Sequence, residues 1–154
     1  MADVTEGAAA PDFELAGAAG PIRLSDFKGK PLVLYFYPKD DTSGCTREAQ
    51  DFTAQATDFA KAGAAVVGVS KDSVASHEKF KTKYDLGVQL GSDPEGTVVA
   101  RYGSWVEKSM YGRKYMGIDR STFLIDKDGK VRRIWRKVKV PGHAAEVLKA
   151  VQSL

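Results

Sequence analysis

Cysteine is nearly absent from this sequence, because its 154 residues contain only Cys45. A single cysteine excludes an intrachain disulfide, so the fold does not depend on oxidation, which favours a reducing compartment. No apolar run approaches the roughly 20 residues that a membrane-spanning helix needs. Residues 1–6 also lack the basic and apolar segments of a secretory signal. We therefore expect a cytoplasmic protein with no membrane partner.

A large excess of one charge is also lacking. The 23 basic residues nearly balance the 20 acidic ones and leave a net charge of +3, whereas a dedicated nucleic-acid binder usually has a larger and more concentrated basic excess. The most basic stretch, residues 130–139, interleaves cations with Trp135, a pattern that also suits nucleic acid. The solvated face of a hairpin strand explains it more simply, so we expect no nucleic-acid partner.

The arrangement of apolar residues predicts one domain of α/β class. The hydrophobic fraction of 43% suits a single globular core, and without repeats or linkers we expect one domain over residues 1–154. Residues 103–117 are aromatic and basic, and we expect a loop there. The predicted strands are residues 12–15 and 22–24 of an N-terminal hairpin, then 32–37, 64–69 and 88–90, and a hairpin of 121–126 with 131–138; the predicted helices cover residues 43–61 and about 73–84 and begin again at Pro94 and Pro141.

Cys45 lies where a predicted strand, a short turn and the start of a helix follow one another. The first N–H groups of a helix have no intrahelical partner, and the helix dipole places partial positive charge at that end. Both stabilise a thiolate, which is the nucleophilic form of cysteine. A lone cysteine is otherwise commonly a small buried apolar residue. The position at a helix start favours a reactive thiol instead.

Three neighbours of Cys45 have sequence-level interpretations. Pro38 ends the strand and stiffens the turn, and we expect it to shield the thiolate from water. Gly44 lacks the Cβ that would crowd an incoming ligand and leaves its backbone N–H accessible. The Thr42 hydroxyl can turn toward the sulfur or toward a bound substrate. Alternatively, Thr42 is the helix N-cap, a role that Ser43 can equally take.

The spacing Pro38-x-x-x-Thr42-x-x-Cys45 resembles the active-site signature of the peroxiredoxins. The sequence of residues 36–46 is most similar to the peroxiredoxin Q, or bacterioferritin comigratory protein, branch of that family. Two further segments agree in order along the chain, residues 7–13 and residues 117–126. The resemblance extends from about Val4 to the final helix. It implies a thioredoxin-like fold with an N-terminal extension.

The resemblance also implies roles for two charged residues. Arg120 matches the arginine that lies beside the reactive cysteine and holds a peroxide oxygen. On sequence alone its alternative interpretation is an ordinary surface arginine, although a solvated charge is unexpected at the start of an apolar strand. Glu48 matches a glutamate that orients this arginine, and its alternative role is that of an acidic residue that favours a helix start. The implied catalytic set is therefore Cys45, Thr42, Arg120, Pro38, Gly44 and Glu48.

One departure from the branch changes the expected mechanism. A resolving cysteine often follows the reactive one by five residues, and here that position is Gln50. The resemblance therefore implies a thiol peroxidase that reduces hydrogen peroxide and organic hydroperoxides through a Cys45 sulfenic acid. An external thiol must then recycle it, from thioredoxin, glutaredoxin, glutathione or Cys45 of a second copy. We expect no cofactor, and a monomer or a weak homodimer.

Two other functions remain open at this point. A thioredoxin-type disulfide oxidoreductase needs Cys-x-x-Cys, and Glu48 occupies the second position. A peroxide sensor or chaperone-like redox protein would use the same reactive Cys45 without turnover. The two histidines, His77 and His143, lie far apart on predicted helix surfaces, and we expect both to be solvated. With one cysteine elsewhere, they do not provide a zinc ligand set.

Overall fold

The structure is a computed structural model that describes residues 4–154. The first three residues, which belong to the segment 1–6 interpreted above, lie outside the described part. The strands are β1 (Glu14–Leu15), β2 (Ile22–Arg23), β3 (Leu32–Phe36), β4 (Ala65–Ser70), β5 (Gln89–Ser92), β6 (Trp105–Met110), β7 (Arg113–Ile118), β8 (Ser121–Ile125) and β9 (Val131–Trp135). The helices are α1 (Ser43–Ala54), α2 (Ala56–Lys61), α3 (Val74–Tyr84), α4 (Thr97–Arg101) and α5 (His143–Gln152).

A five-stranded mixed sheet forms the centre, in the order β5-β4-β3-β8-β9. Strand β3 is buried along its whole length, as its continuous apolar run predicts. It pairs in parallel with β4 and antiparallel with β8, with Phe36 opposite Ser121. Because β8 begins where β3 ends, the residues after β3 and the residues before β8 meet at one edge of the sheet.

Two apolar clusters cover the two faces of this sheet. One cluster packs α1, α2, α3 and α5 against it, and its members include Cys45, Phe52, Phe80 and Val147. The other packs the N-terminal hairpin and α4 against the opposite face. Helices on both faces with an N-terminal hairpin form the thioredoxin-like α/β fold that the sequence predicts. Within residues 4–154, no helix has the length and apolar character needed to cross a bilayer.

The segment 103–117 corrects the expectation of a loop. It forms an antiparallel hairpin of β6 and β7, in which Trp105 pairs with Ile118 and Met110 pairs with Arg113. The two residues at its tip, Tyr111 and Gly112, have φ of 53° and 77°. Asn-Gly or Asp-Gly usually marks such a turn, so a tyrosine in the first position concealed the hairpin. The predicted helix 43–61 also divides, at Gln55, into α1 and α2.

Both histidines are buried, so the expectation that they are solvated is wrong. His77 of α3 places Nε2 2.9 Å from the Ser70 hydroxyl of β4. His143, at the start of α5, places Nε2 2.8 Å from the Thr122 hydroxyl of β8. Burial lowers the pKa of both imidazoles, that of His143 to about 4. Each helix turns its histidine toward the sheet because a buried hydroxyl there satisfies one ring nitrogen.

Candidate active site

The turn between β3 and α1 brings Cys45 to the edge of the sheet. Helix α1 begins at Ser43, and its first intrahelical bond runs from the Thr46 N–H to the Thr42 carbonyl at 2.8 Å. The N–H groups of Ser43, Gly44 and Cys45 precede this bond and therefore lie in the unpaired first turn. Cys45 is only 2% exposed. The thiol is thus held at a helix N-terminus, close to but beneath the surface.

Arg120 reaches Cys45 from the other side of the sheet edge. It lies immediately before β8, at the point where antiparallel pairing with β3 brings it beside the turn. Its Nη2 lies 3.3 Å from the Cys45 Sγ, and its Nη1 donates to Glu48 Oε1 at 2.7 Å. The planar fork of the guanidinium therefore joins the thiol to a carboxylate. The permanent positive charge of Arg120 thus lies against the sulfur.

Glu48 is the anchor of this arginine and is itself buried. It lies three residues after Cys45, so both side chains share one face of α1. Its Oε2 has no hydrogen-bond partner among the described residues. Burial raises the pKa of Glu48 to about 7, although the charge and hydrogen bond of Arg120 oppose this rise. The carboxyl group thus changes its charge near neutral pH.

Gly44 allows the close approach of Arg120 to the helix start. A Cβ at this position would lie 3.1 Å from Arg120 Nη2, a tighter approach than most Cβ contacts. The sequence suggested that this glycine leaves room for an incoming ligand. The structure places the guanidinium in that space, so the absence of a side chain lets the arginine lie against the helix start.

Thr42 and Pro38 flank the turn on its exposed side. Thr42 occupies the N-cap position with an extended backbone, but its side chain makes no capping bond. Its hydroxyl donates instead to the Lys39 carbonyl at 2.8 Å, which leaves the oxygen free to accept a bond from another group. Ser43 is already the first helical residue, so it is not the N-cap. Pro38 follows β3 after one residue, Tyr37, and is exposed.

Buried polar contacts that the sequence did not predict hold this turn. Asp40 accepts hydrogen bonds from the Tyr37 hydroxyl at 2.5 Å and from the Ser76 hydroxyl of α3 at 2.7 Å. Its own N–H donates to Asp72 Oδ2 at 2.8 Å. An aspartate a few residues after a buried strand was the only signal in the sequence. Because Ser76 lies 36 residues away, its contact with Asp40 depends on the tertiary fold.

Asp41 attaches the outer side of the same turn to α3. Lys83 Nζ donates to its carboxylate at 2.8 Å, and the Tyr84 hydroxyl donates to the other carboxylate oxygen. These two bonds lower the pKa of Asp41. Asp41 has a φ of 58°, in the left-handed region that aspartate tolerates better than most residues. Two consecutive aspartates thus fix the approach to α1.

Two buried side chains and one partly buried side chain lie close enough to suggest a metal site. Ligand atoms of Asp40, Asp72 and His77 are within 4.8 Å of one another. These groups already form hydrogen bonds, since Ser76 donates to Asp40 and the Ser70 hydroxyl lies 2.8 Å from Asp72 and 2.9 Å from His77. The arrangement is that of a hydrogen-bonded support for the turn, and we assign no metal to it.

Known proteins share this architecture. Residues 7–134 match the AhpC/TSA family. The peroxiredoxin Bcp of Bacillus subtilis is 49% identical over 149 residues, which cover 96% of this chain and 95% of that protein. The Bcp homologue of Coxiella burnetii is 51% identical over 143 residues, covering 92% and 95% of the two chains.

A solved structure agrees with these sequence relatives. Peroxiredoxin Q of Xanthomonas campestris superimposes with a TM-score of 0.87 at 45% identity, over 92% of this chain and 90% of that one. Cysteine-to-serine mutants of that protein at two different positions have also been solved, so it has at least two cysteines where this chain has one. Its agreement in sequence and fold extends over nearly all of the present chain. The chain therefore belongs to the AhpC/TSA family and, within it, is a thiol peroxidase of the Bcp or peroxiredoxin Q branch of the peroxiredoxins.

Proposed function

We propose that Cys45 reduces hydroperoxides by direct nucleophilic attack. The thiolate sulfur forms a bond to the terminal oxygen of the hydroperoxide, and the O–O bond breaks. The electron pair leaves with the inner oxygen, which takes up a proton and departs as an alcohol or water. Cys45 becomes a sulfenic acid. The observation that carries this proposal is the Arg120 Nη2 at 3.3 Å from the sulfur, anchored on its other side by Glu48.

The groups around the sulfur stabilise charge that moves from sulfur to oxygen. Arg120 and the N–H groups at the start of α1 point to the place where the leaving oxygen becomes negative. A preorganised donor of this kind contributes about 3–4 kcal/mol to transition-state stabilisation. The Thr42 hydroxyl, which already donates to a carbonyl, accepts a hydrogen bond from the peroxide proton. Gly44 admits the arginine, Glu48 orients it, and Pro38 shields the thiolate.

The substrates are hydrogen peroxide and organic hydroperoxides. Attack at the terminal oxygen places the rest of the substrate on the outward side of the sulfur, so the reaction does not depend on one leaving group. The Xanthomonas campestris bacterioferritin comigratory protein has alkyl peroxide reduction activity. We extend this substrate class to the present chain on the basis of the shared fold and family.

Recycling requires a thiol from another molecule because Cys45 is the only cysteine. An external thiol attacks the sulfenic sulfur, forms a mixed disulfide and releases water. A second thiol then releases Cys45 and leaves the reductant as a disulfide. Thioredoxin, glutaredoxin and glutathione all have the chemistry for this role. Gln50, at the position where the branch often has its own second cysteine, lies exposed on α1.

Mass spectrometry after one equivalent of peroxide tests the proposal. We expect Cys45 to gain one oxygen and to be captured by a sulfenic-acid trap, and we expect Cys45→Ser to lose peroxide consumption entirely. Continued peroxide consumption by Cys45→Ser would overturn the assignment. Multiple turnovers with a thiol donor distinguish the peroxidase from a sensor that is oxidised once. An insulin-reduction assay, which we expect to be negative, excludes the disulfide oxidoreductase.

A further inference from the structure

Exposed apolar side chains are concentrated on the hairpin of β6 and β7. Five large apolar side chains are well exposed in the described part of the chain, and four of them lie between residues 110 and 116. They are Met110, Tyr111, Tyr115 and Met116, with exposures from 45% to 97%; the fifth is Leu154. Single exposed apolar residues are normal, but a contiguous group marks a contact surface.

The stability of the fold does not account for this group. Tyr111 is 97% exposed, so its ring buries almost no surface in this molecule. Its φ of 53° is a conformation that asparagine, aspartate or glycine adopts at lower cost. The hairpin pairs with no strand of the central sheet, and an isolated two-stranded hairpin is only marginally stable in water. A tyrosine at this tip thus weakens the turn without contributing burial.

One face of the hairpin combines two of these apolar side chains with positive charge, whereas Met116 lies on the other face, opposite Glu107. Lys108 pairs with Tyr115, and Met110 pairs with Arg113 two residues further along each strand. Side chains two residues apart share a face, so Lys108, Met110, Arg113 and Tyr115 form one surface, which we call the basic hairpin face. The hairpin's one acidic residue, Glu107, is on the other face, 3.7 Å from Lys114. Two copies of the basic hairpin face would repel each other, whereas an acidic partner would be attracted.

The foot of the hairpin adjoins the reactive thiol. Strand β7 ends at Ile118, and Arg120, which contacts the Cys45 sulfur, follows two residues later. A strand of six residues spans about 20 Å at about 3.3 Å per residue. A protein of about 100 residues has a radius of gyration of about 13 Å. One such protein is therefore large enough to contact the tip and the region of Cys45 together.

We infer that the basic hairpin face and Tyr111 form the docking surface for an acidic protein dithiol that reduces the Cys45 sulfenic acid. The inference rests on the proposed peroxidase function and names the class of its reductant. One partner thiol attacks the sulfenic sulfur as its thiolate, the S–O bond breaks, and the departing hydroxide takes up the proton of that thiol and leaves as water. The partner's second thiol then attacks the partner's first sulfur, which is bonded to Cys45 in the mixed disulfide. This step releases Cys45 and leaves the partner with an intramolecular disulfide.

Turnover with two reductants tests this surface. The protein reductant is an acidic thioredoxin kept reduced by its reductase, and the small reductant is dithiothreitol. The variants are Tyr111→Ser with Met110→Ser, which removes apolar contact, and Lys108→Glu with Arg113→Glu, which reverses the charge. Leu154→Ser is the matched control, since it removes an exposed apolar side chain at the other end of the chain.

We expect both double variants to raise the KM for thioredoxin at least about tenfold, as loss of a few well-placed interface contacts does. The rate of Cys45 oxidation by peroxide and the turnover with dithiothreitol should equal those of the wild type and of Leu154→Ser. The wild-type KM for thioredoxin should also rise with ionic strength, and this dependence should reverse in Lys108→Glu with Arg113→Glu, because salt then screens a repulsion instead of an attraction. The salt dependence of the wild-type KM can be measured even if neither double variant folds, so it tests the surface independently.

Two results would overturn the docking surface and one would overturn its premise. Unchanged KM values for thioredoxin in both double variants would remove the hairpin from the interface. A wild type that turns over with glutathione but not with thioredoxin would show that no protein dithiol docks. If peroxide leaves Cys45 unoxidised in every form, the peroxidase function itself fails, and this outcome is visible before any reductant is added.

Discussion

Removal of the Arg120 charge is the sharpest test of the site, and its effect can be estimated from two distances. The guanidinium lies 3.3 Å from the Cys45 sulfur. Two unit charges at this separation interact by about 5 kcal/mol at an effective dielectric constant of about 20. Glu48, bonded to the same guanidinium at 2.7 Å, offsets part of this attraction. A net loss of about 2–4 kcal/mol in Arg120→Met predicts a fall of about 30- to 1000-fold in the rate of Cys45 oxidation.

The single substitution has a second effect that must be separated from the first. Without Arg120, Glu48 is left buried with no cation, and removal of one partner from a buried ion pair destabilises a fold by about 3–5 kcal/mol. Arg120→Met combined with Glu48→Gln removes the unpaired charge while keeping the volume of the side chain. We expect this double variant to recover most of the lost stability and none of the lost reactivity.

The measurement is the single-turnover rate at which peroxide oxidises Cys45, followed by mass spectrometry, together with chemical denaturation of each variant. Arg133→Met is the matched control, because Arg133 forms an exposed ion pair with Glu146 at 3.4 Å, far less buried than that of Arg120. We expect wild-type reactivity from it. A folded Arg120→Met, Glu48→Gln variant that reacts within about threefold of the wild type would refute the electrostatic role, since threefold corresponds to less than about 1 kcal/mol.

The remaining predictions concern three positions. Gly44→Ala should slow Cys45 oxidation by about three- to tenfold, because the added Cβ displaces the Arg120 guanidinium by a few tenths of an ångström. The stability of this variant, measured by denaturation, should not fall, since alanine favours helices. In Glu48→Gln, stability should rise with pH between 4.5 and 6.5. In the wild type, the buried carboxyl has its pKa raised from 4.5 to about 7, so it makes the native state lose stability as pH rises through this window. Glutamine removes that loss. In His143→Gln, stability should fall as pH rises through the same window. The imidazole, with its pKa lowered from 6.5 to about 4, makes the native state gain stability as pH rises, and glutamine removes that gain.

The two pH effects have opposite sign and nearly the same window, so we expect them largely to cancel in the wild type. Denaturation curves at several pH values between 4.5 and 6.5 measure the stability of the wild type and of both variants. Parallel pH profiles for wild type and both variants would show that neither buried group titrates as described.

For Gly44→Ala, a wild-type oxidation rate would mean that the arginine adjusts without loss of its contact with sulfur.

The features that sequence predicts well here are those written in local pattern. The run at residues 32–36 is apolar at every position, which identifies a strand buried on both faces. Pro38, Gly44 and the following helical periodicity place Cys45 at a helix start, and α1 begins at Ser43 as expected. The prediction of a reactive thiol rests on this position. The fold class was confirmed for the same reason, because it depends on the order of elements.

What the sequence leaves open depends on contacts between distant segments. The register that sets Phe36 against Ser121 is what brings Arg120 to Cys45, and no local pattern records it; the expectation came from resemblance to a family. The burial of His77 and His143 depends on hydroxyl partners on other elements. The hairpin at residues 105–118 was missed because its turn residues are Tyr-Gly.

The antiparallel pairing of β3 with β8 has a consequence for the newly made chain. Cys45 and Arg120 are 75 residues apart, so the thiol leaves the ribosome well before its cation exists. At about 5–20 residues per second, synthesis of the intervening segment takes about 4 to 15 s. During that interval Cys45 has only the reactivity of an ordinary thiol. We therefore expect peroxide to oxidise an unfinished chain more slowly than the completed molecule.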